Sequence, residues 1–161
     1  MTTPQPTPSA TPDPHRPDKP DAAAWFDAVA IEHATIYGYG IVSAHSPPDA
    51  NDLVSEALSQ HRERREAALK MLADASAKAP QPAAGYQLPI AVTTATDAGN
   101  LAVRMETDCA VAWRAVIERS ASEQDRAFAV TALTQSAVLA ARWKQVLRAW
   151  PITTSFPGGS E

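Results

Sequence analysis

The sequence predicts an all-α protein: an antiparallel four-helix bundle with a long crossover between the second and third helices. Three observations carry that prediction. Alanine, the strongest helix former, occurs thirty-three times, mostly within four spans whose apolar residues recur at steps of three and four. Helix-breaking residues fall between those spans, and the connections run short, long, short. The 161 residues suit one domain, and 45% apolar against 20% charged residues supply a core for it. Only Ile90-Ala91-Val92-Thr93-Thr94 alternates at all like a strand, and it has no second strand to pair with.

Residues 1–20 hold seven of the fourteen prolines, interleaved with Thr, Ser, Asp and Gln. Such a segment buries too little to offset its ordering entropy, so it is expected to be a disordered Pro-rich tail ahead of a bundle spanning 21–158. It lacks the basic start and apolar block of a secretory signal, and the single Cys109 excludes a disulfide framework, so the expected location is cytoplasmic. No run approaches the eighteen or so apolar residues of a membrane span. A formal charge of −4 argues against nucleic-acid binding, which needs a cationic surplus. The basic run His61-Arg62-Glu63-Arg64-Arg65-Glu66 is half offset by its own glutamates and reads as a solvated face.

The first helix is expected over 21–44 and the second over 49–77, parted by Ser46-Pro47-Pro48-Asp49. The third is expected from Thr96 or Asp97 to Ser120, and the fourth over 123–150, opened by the capping-box pattern Ser122-Glu123-Gln124-Asp125 and stopped by Pro151. Short joints make each neighbouring pair an antiparallel hairpin. The segment Ala79–Thr96 is different. Extended, it can reach about 60 Å, more than the ~45 Å length of a thirty-residue helix, so it can cross the bundle and set the third helix parallel to the second.

Steps of three and four give each buried face. The stripes are Trp25, Val29, Glu32, Ile36, Tyr39; Val54, Leu58, His61, Arg65, Ala68, Leu72; Val103, Glu106, Ala110, Trp113, Ile117; and Phe128, Ala132, Gln135, Leu139, Arg142, Val146, Trp150. Each is apolar except near mid-helix, where Glu32, His61 with Arg65, Glu106, and Gln135 with Arg142 interrupt it. Buried charge is costly unless partnered, so these six residues are expected to meet as a polar cluster in the bundle centre. A faint repeat supports this: Ala28-Val29-Ala30-Ile31-Glu32 echoes Ala102-Val103-Arg104-Met105-Glu106, which would set Glu32 opposite Glu106 and His61 opposite Arg142.

The chain resembles the ferritin-like superfamily, and within it an uncharacterised group of domains of about this size. The likeness lies in Glu32-His33-Ala34-Thr35-Ile36-Tyr37-Gly38-Tyr39-Gly40, His61-Arg62-x-Arg64-Arg65, Tyr86-x-Leu88-Pro89, Ala112-Trp113-Arg114, Ala141-Arg142-Trp143 and the run from Pro151 to Gly158. The resemblance implies a di-metal ligand set of one Glu from each of two helices and Glu-x-x-His from each of the others. Glu32, Glu106 and His61 match it. Leu58 and Leu139 stand where partner glutamates are required, and Arg142 stands at the second histidine. Two carboxylates cannot balance two ferrous ions, and a guanidinium repels them while pairing well with carboxylate. The expectation is therefore a salt-bridge cluster, no catalytic residue and no cofactor. The alternative is iron or manganese weakly held by Glu32, His61 and Glu106.

Other residues have plain expected roles. His33 lies off the buried stripe and is expected to be exposed. His45 suits a helix end, and Cys109 reads as a small buried apolar residue. Gly38 and Gly40 imply a kink or a close neighbouring helix. The expected function is a non-catalytic bundle acting through protein contact, as a homodimer or with an unknown protein partner. The alternative is a metal-binding protein or oxidoreductase with a reduced ligand set. A small-ligand pocket at the centre, among Leu58, Leu139, Trp113 and Tyr39, ranks last because those side chains fill the space.

Overall fold

A computed structural model describes residues 13–159. Its elements are α1 (Pro20–His45), α2 (Asn51–Asp74), α3 (Ala95–Arg119) and α4 (Glu123–Leu147), with a single 3-10 turn, Pro48–Ala50, leading into α2. No strand forms among the described residues, and Ile90–Thr94 is irregular. Most of the expected Pro-rich tail, residues 1–12, lies outside the described residues. Its last part is tied down: Arg16 makes a bidentate pair with Asp27, with Nε and Nη2 donating over 2.7 and 2.6 Å.

The helix limits follow from local chemistry. Pro20 occupies the first turn of α1, where its missing N–H costs nothing. Ser46 turns extended (ψ 147°) because Pro47 follows it. At the C-terminus of α2, Ser76 takes the left-handed conformation (φ 54°), and the Ala77 N–H bonds the Leu72 carbonyl, ending the helix three residues earlier than its periodicity implies. Arg148 (φ 53°) does the same for α4, with the Ala149 N–H on the Lys144 carbonyl, so the helix stops at Leu147 and Pro151 is not its terminator. The complete capping box belongs to α3. Thr94 Oγ1 accepts from the Asp97 N–H (3.1 Å), and the Asp97 carboxylate accepts from the Thr94 N–H (2.9 Å). At α4, Ser122 caps Asp125 N–H, but the Asp125 carboxylate is taken by the Ser120 hydroxyl.

Two apolar clusters form the core. One gathers Tyr39 and Val42 from late α1, Leu53, Val54 and Ala57 from early α2, Leu101 and Met105 from early α3, and Leu139 and Trp143 from late α4. The other gathers Trp25 and Val29 from early α1, Ala68 and Leu72 from late α2, Trp113 and Val116 from late α3, and Ala129 and Ala132 from early α4. The segment between α2 and α3 touches both: Ala77 and Ala79 rest on the second cluster, Leu88, Ile90 and Val92 on the first. Trp25 stands edge-on to Trp113, with ring centroids 5.5 Å apart. Gly38 is a point of close approach, since a Cβ there would overlap Met105 Sδ of α3; Gly40 faces open space. Helix α4 lies along α3 and meets α2 only sparsely. No helix among the described residues is long and apolar enough to cross a membrane.

Candidate functional site

Between the two apolar clusters lies a polar layer. On α1 it falls after Val29 and before Tyr39, on α2 after Ala57 and before Ala68, and on α3 at Glu106 between Met105 and Cys109. The helices thus deliver Glu32, His61, Arg64 and Glu106 to one level, all of them buried.

His61 is the hub. Its Nδ1 lies 2.6 Å from Glu32 Oε2 and its Nε2 lies 2.9 Å from Glu106 Oε1. A ring that meets a carboxylate at each nitrogen must donate twice, so it carries both protons and a positive charge. Burial opposes that charge, but the hydrogen bonds and fields of Glu106 and Glu32 outweigh it and raise the pKa from 6.5 to about 9. Indole and phenol groups complete the bonding. Trp113 Nε1 donates to Glu32 Oε1 (2.8 Å), Tyr39 Oη donates to Glu106 Oε1 (2.6 Å), and Trp143 Nε1 donates to Tyr39 Oη (3.0 Å). Burial and the neighbouring Glu106 push the Tyr39 phenol well above its usual range, fixing it as a donor.

Arg64 is the second cation. Its Nη1 donates to the Ala132 carbonyl and to Ser136 Oγ on α4, each at 2.8 Å, and its Nε stands 3.3 Å from Glu32 Oε1. Its Nη2 is 3.2 Å from His61 Nδ1, a meeting of two donors made tolerable by the Glu32 carboxylate they share. Two carboxylates against two cations leave the layer electrically balanced. Of its four carboxylate oxygens, only Glu106 Oε2 has no hydrogen-bond partner.

The structure brings Glu32, His61 and Glu106 together and leaves the other three expected members outside. Arg65 is half-buried at the surface and pairs with the neighbouring Glu66. The buried face of α2 runs through Ala57, His61, Arg64 and Ala68, so it passes on the Arg64 side of His61. On α4 the buried face is Ala129, Ala132, Ser136, Leu139 and Trp143, which keeps Ala132 and Leu139 of the expected stripe but takes Ser136 and Trp143 in place of Gln135 and Arg142. Arg142 therefore reaches across the surface to Glu56, with its side chain 38% exposed, and does not oppose His61. Gln135 lines a shallow groove of about 220 Å³ between α2 and α4. His33, expected in solvent, is buried beneath the α2–α3 segment near Pro80; desolvation and the nearby Arg65 lower its pKa. His45 does sit in the last turn of α1, with Nδ1 3.0 Å from the Ile41 carbonyl.

One group of metal-capable donors exists among the described residues: Glu32, His61 and Cys109, whose ligand atoms lie within 4.8 Å of one another. Their chemistry does not fit a metal. Both nitrogens of His61 are engaged by carboxylates. Burial and the fields of Glu32 and Glu106 push the Cys109 thiol well above its usual range, and Thr35 Oγ1 lies 3.2 Å from its sulfur. A metal here would have to strip protons from both groups beside the fixed cation of Arg64. Leu139 is buried and Leu58 partly so, at the positions where the resemblance required further carboxylates. Tyr39, Trp113 and Leu139 are fully buried in the bundle centre. A cavity of about 380 Å³ opens between α3, α4 and the segment after α4.

Comparison with known proteins relates the chain to a family and to a solved structure. Residues 24–161 match the model of a family described as Domain of unknown function (DUF4439). The chain is also similar to the crystal structure of a conserved hypothetical protein, rv2844, from Mycobacterium tuberculosis. The two are 61% identical, the match covers 85% of this chain and 96% of that one, and the TM-score is 0.79. No curated protein matches the chain.

Proposed function

The chain belongs to the DUF4439 family, and from that premise we propose that it is a non-catalytic, ferritin-like bundle of the cytoplasm, working through contact with a second copy of itself or with another protein. The ends that share each apolar cluster support a bundle in which α1 and α2, and α3 and α4, run antiparallel while α2 and α3 run parallel. A segment touching both clusters is what a crossover along the bundle requires. In this reading the charge-balanced layer stands where ferritin-like relatives hold two metal ions, with Arg64 and His61 supplying the positive charge.

The observation that carries the reading is the double engagement of His61. A histidine whose two nitrogens both donate to carboxylates has no lone pair for a metal, and the layer needs no further charge. The test is elemental analysis of protein expressed with added iron or manganese, with Glu32→Gln alongside. Metal well below one equivalent in both proteins is the expected result. One or two equivalents, lost in Glu32→Gln, would return the protein to the metal-binding oxidoreductase class, a reading favoured by the proximity of Glu32, His61 and Cys109.

Protein contact is supported by α4. Val130, Val138 and Val146 are each about half exposed on it, although it has a close partner only in α3. Light scattering at micromolar concentration should give a dimer, and Val138→Asp should shift it toward monomer. A monomer throughout would remove self-association from the proposal.

A further inference from the structure

Helix α4 carries no charged residue from Ala127 to Ala141, although only one side of it is covered. Its buried face is Ala129, Ala132, Ser136, Leu139 and Trp143. At about 100° per residue the opposite face runs through Ala127, Val130, Thr134, Val138 and Ala141, and the first four of these are exposed. The outer face of a bundle helix is ordinarily polar or charged. The threonine hydroxyls on this side give it no polar character to spare. Thr131 and Thr134 donate back to the Ala127 and Val130 carbonyls, so neither calls for an outside acceptor.

The stripe reads the same in both directions from Thr134. Val130 and Val138 stand four residues away on either side, and Ala127 and Ala141 stand seven away. The ends of the helix are opposite in charge: Glu123 and Asp125 lie in the first turn, Lys144 in the last, and Arg148 just beyond it. A twofold axis through Thr134 sets a second α4 antiparallel to the first. Val130 then meets Val138 of the second copy, Ala127 meets its Ala141, and each acidic end lies beside a basic one. A parallel pair would instead put like charges and like dipole ends together. We propose that this face binds a second copy of the chain through an antiparallel α4–α4 pair centred on Thr134. The small side chains of Ala127, Thr134 and Ala141 let the two axes approach to about 8 Å. This pairing rests on the reading above that α4 is a contact surface, and it fixes the partner and the register.

Cysteine cross-linking of the purified full chain under mild oxidation tests the register, with light scattering on the same samples. Cys109 is buried, so the unsubstituted protein serves as the blank. Thr134→Cys places two thiols at the axis and should link at least fivefold more than Val130→Cys or Val138→Cys alone. In each of those two the matching residue of the second copy lies eight positions, about 12 Å, along the helix, beyond the ~7 Å Cα separation that a disulfide spans. Mixed in equal amounts, Val130→Cys and Val138→Cys should link to one another. All three positions are exposed, so each variant should keep the parent's melting temperature. A dimer in which Thr134→Cys fails to link, or in which Val130→Cys links to itself as well as Thr134→Cys does, would overturn the antiparallel register while self-association stood. Monomer at every concentration, with no link in any variant, would overturn both and leave the face to a different protein.

Discussion

Arg64 on α2 reaches Ser136 on α4, with Nη1 2.8 Å from Oγ, and the same nitrogen holds the Ala132 carbonyl. Because α2 and α4 otherwise touch little, this guanidinium is the principal tie across that side of the bundle, as well as the counter-ion of Glu32. Arg64→Met keeps the side chain's length and removes the charge, leaving Glu32 short of a cation and Ser136 Oγ without the donor it accepts from. Removing one partner of a buried pair costs roughly 3–5 kcal/mol. Urea melts should show a loss of that order, and a loss below about 1 kcal/mol would mean that Arg64 is solvated rather than structural.

Arg142→Leu separates the structure from the sequence expectation. A buried Arg142 opposing His61 would make the change as costly as Arg64→Met. The observed Arg142 pairs with Glu56 at the surface, both side chains more than a third exposed. Exposed pairs contribute about 0–1 kcal/mol, so the same melts should register less than about 1 kcal/mol.

The difference between those two arginines shows what could be read in advance. The helices were legible because alanine spans, prolines and caps agree. Glu32, His61 and Glu106 were legible because each interrupts an apolar stripe at mid-helix, where a charge needs a partner. The seams of α2 and α4 were less so. Arg64 and Arg65 flank the same line through His61, and α4 carries alanine on several faces, so a stripe through Gln135 and Arg142 looks as apolar as one through Ser136 and Trp143. What decides it is the bulk of Trp143 and its N–H, which needs the Tyr39 oxygen. On their stripes Tyr39 and Trp113 look like space-filling core residues. Their role as donors had one signal in the sequence: each shares a stripe with a buried glutamate, Glu32 or Glu106, that needs donors. His33 could not be placed because the segment that buries it is remote in sequence.

Gly158→Ala should act locally. The residue has φ 75°, where an L side chain costs roughly 1 kcal/mol, and its Cβ would meet the Ala110 carbonyl. Relief comes by lifting the segment after α4 off α3 rather than by opening the bundle. Amide exchange should accelerate over residues 152–159 while α1 and α2 keep their protection, and uniform acceleration across all four helices would show that the segment is part of the cooperative core.

His61 gives the protein a pH dependence on the alkaline side. Its ring holds a proton with a pKa of about 9 in the folded state, against an ordinary 6.5. Burial lowers the value, and the carboxylates of Glu106 and Glu32 more than reverse it. Since the folded state binds the proton more tightly, the associated stability is fully present below pH ~6.5 and is lost as the pH rises through about 9. Its size is on the order of 3 kcal/mol. Denaturation midpoints should fall steadily between pH 7 and pH 9. His61→Gln, which carries no titrating proton, should be less stable at pH 6 and nearly flat across the same window. An intact protein whose midpoint is level from pH 6 to pH 9 would mean that the ring is neutral in the fold, and the balance of two cations against two carboxylates would then be wrong.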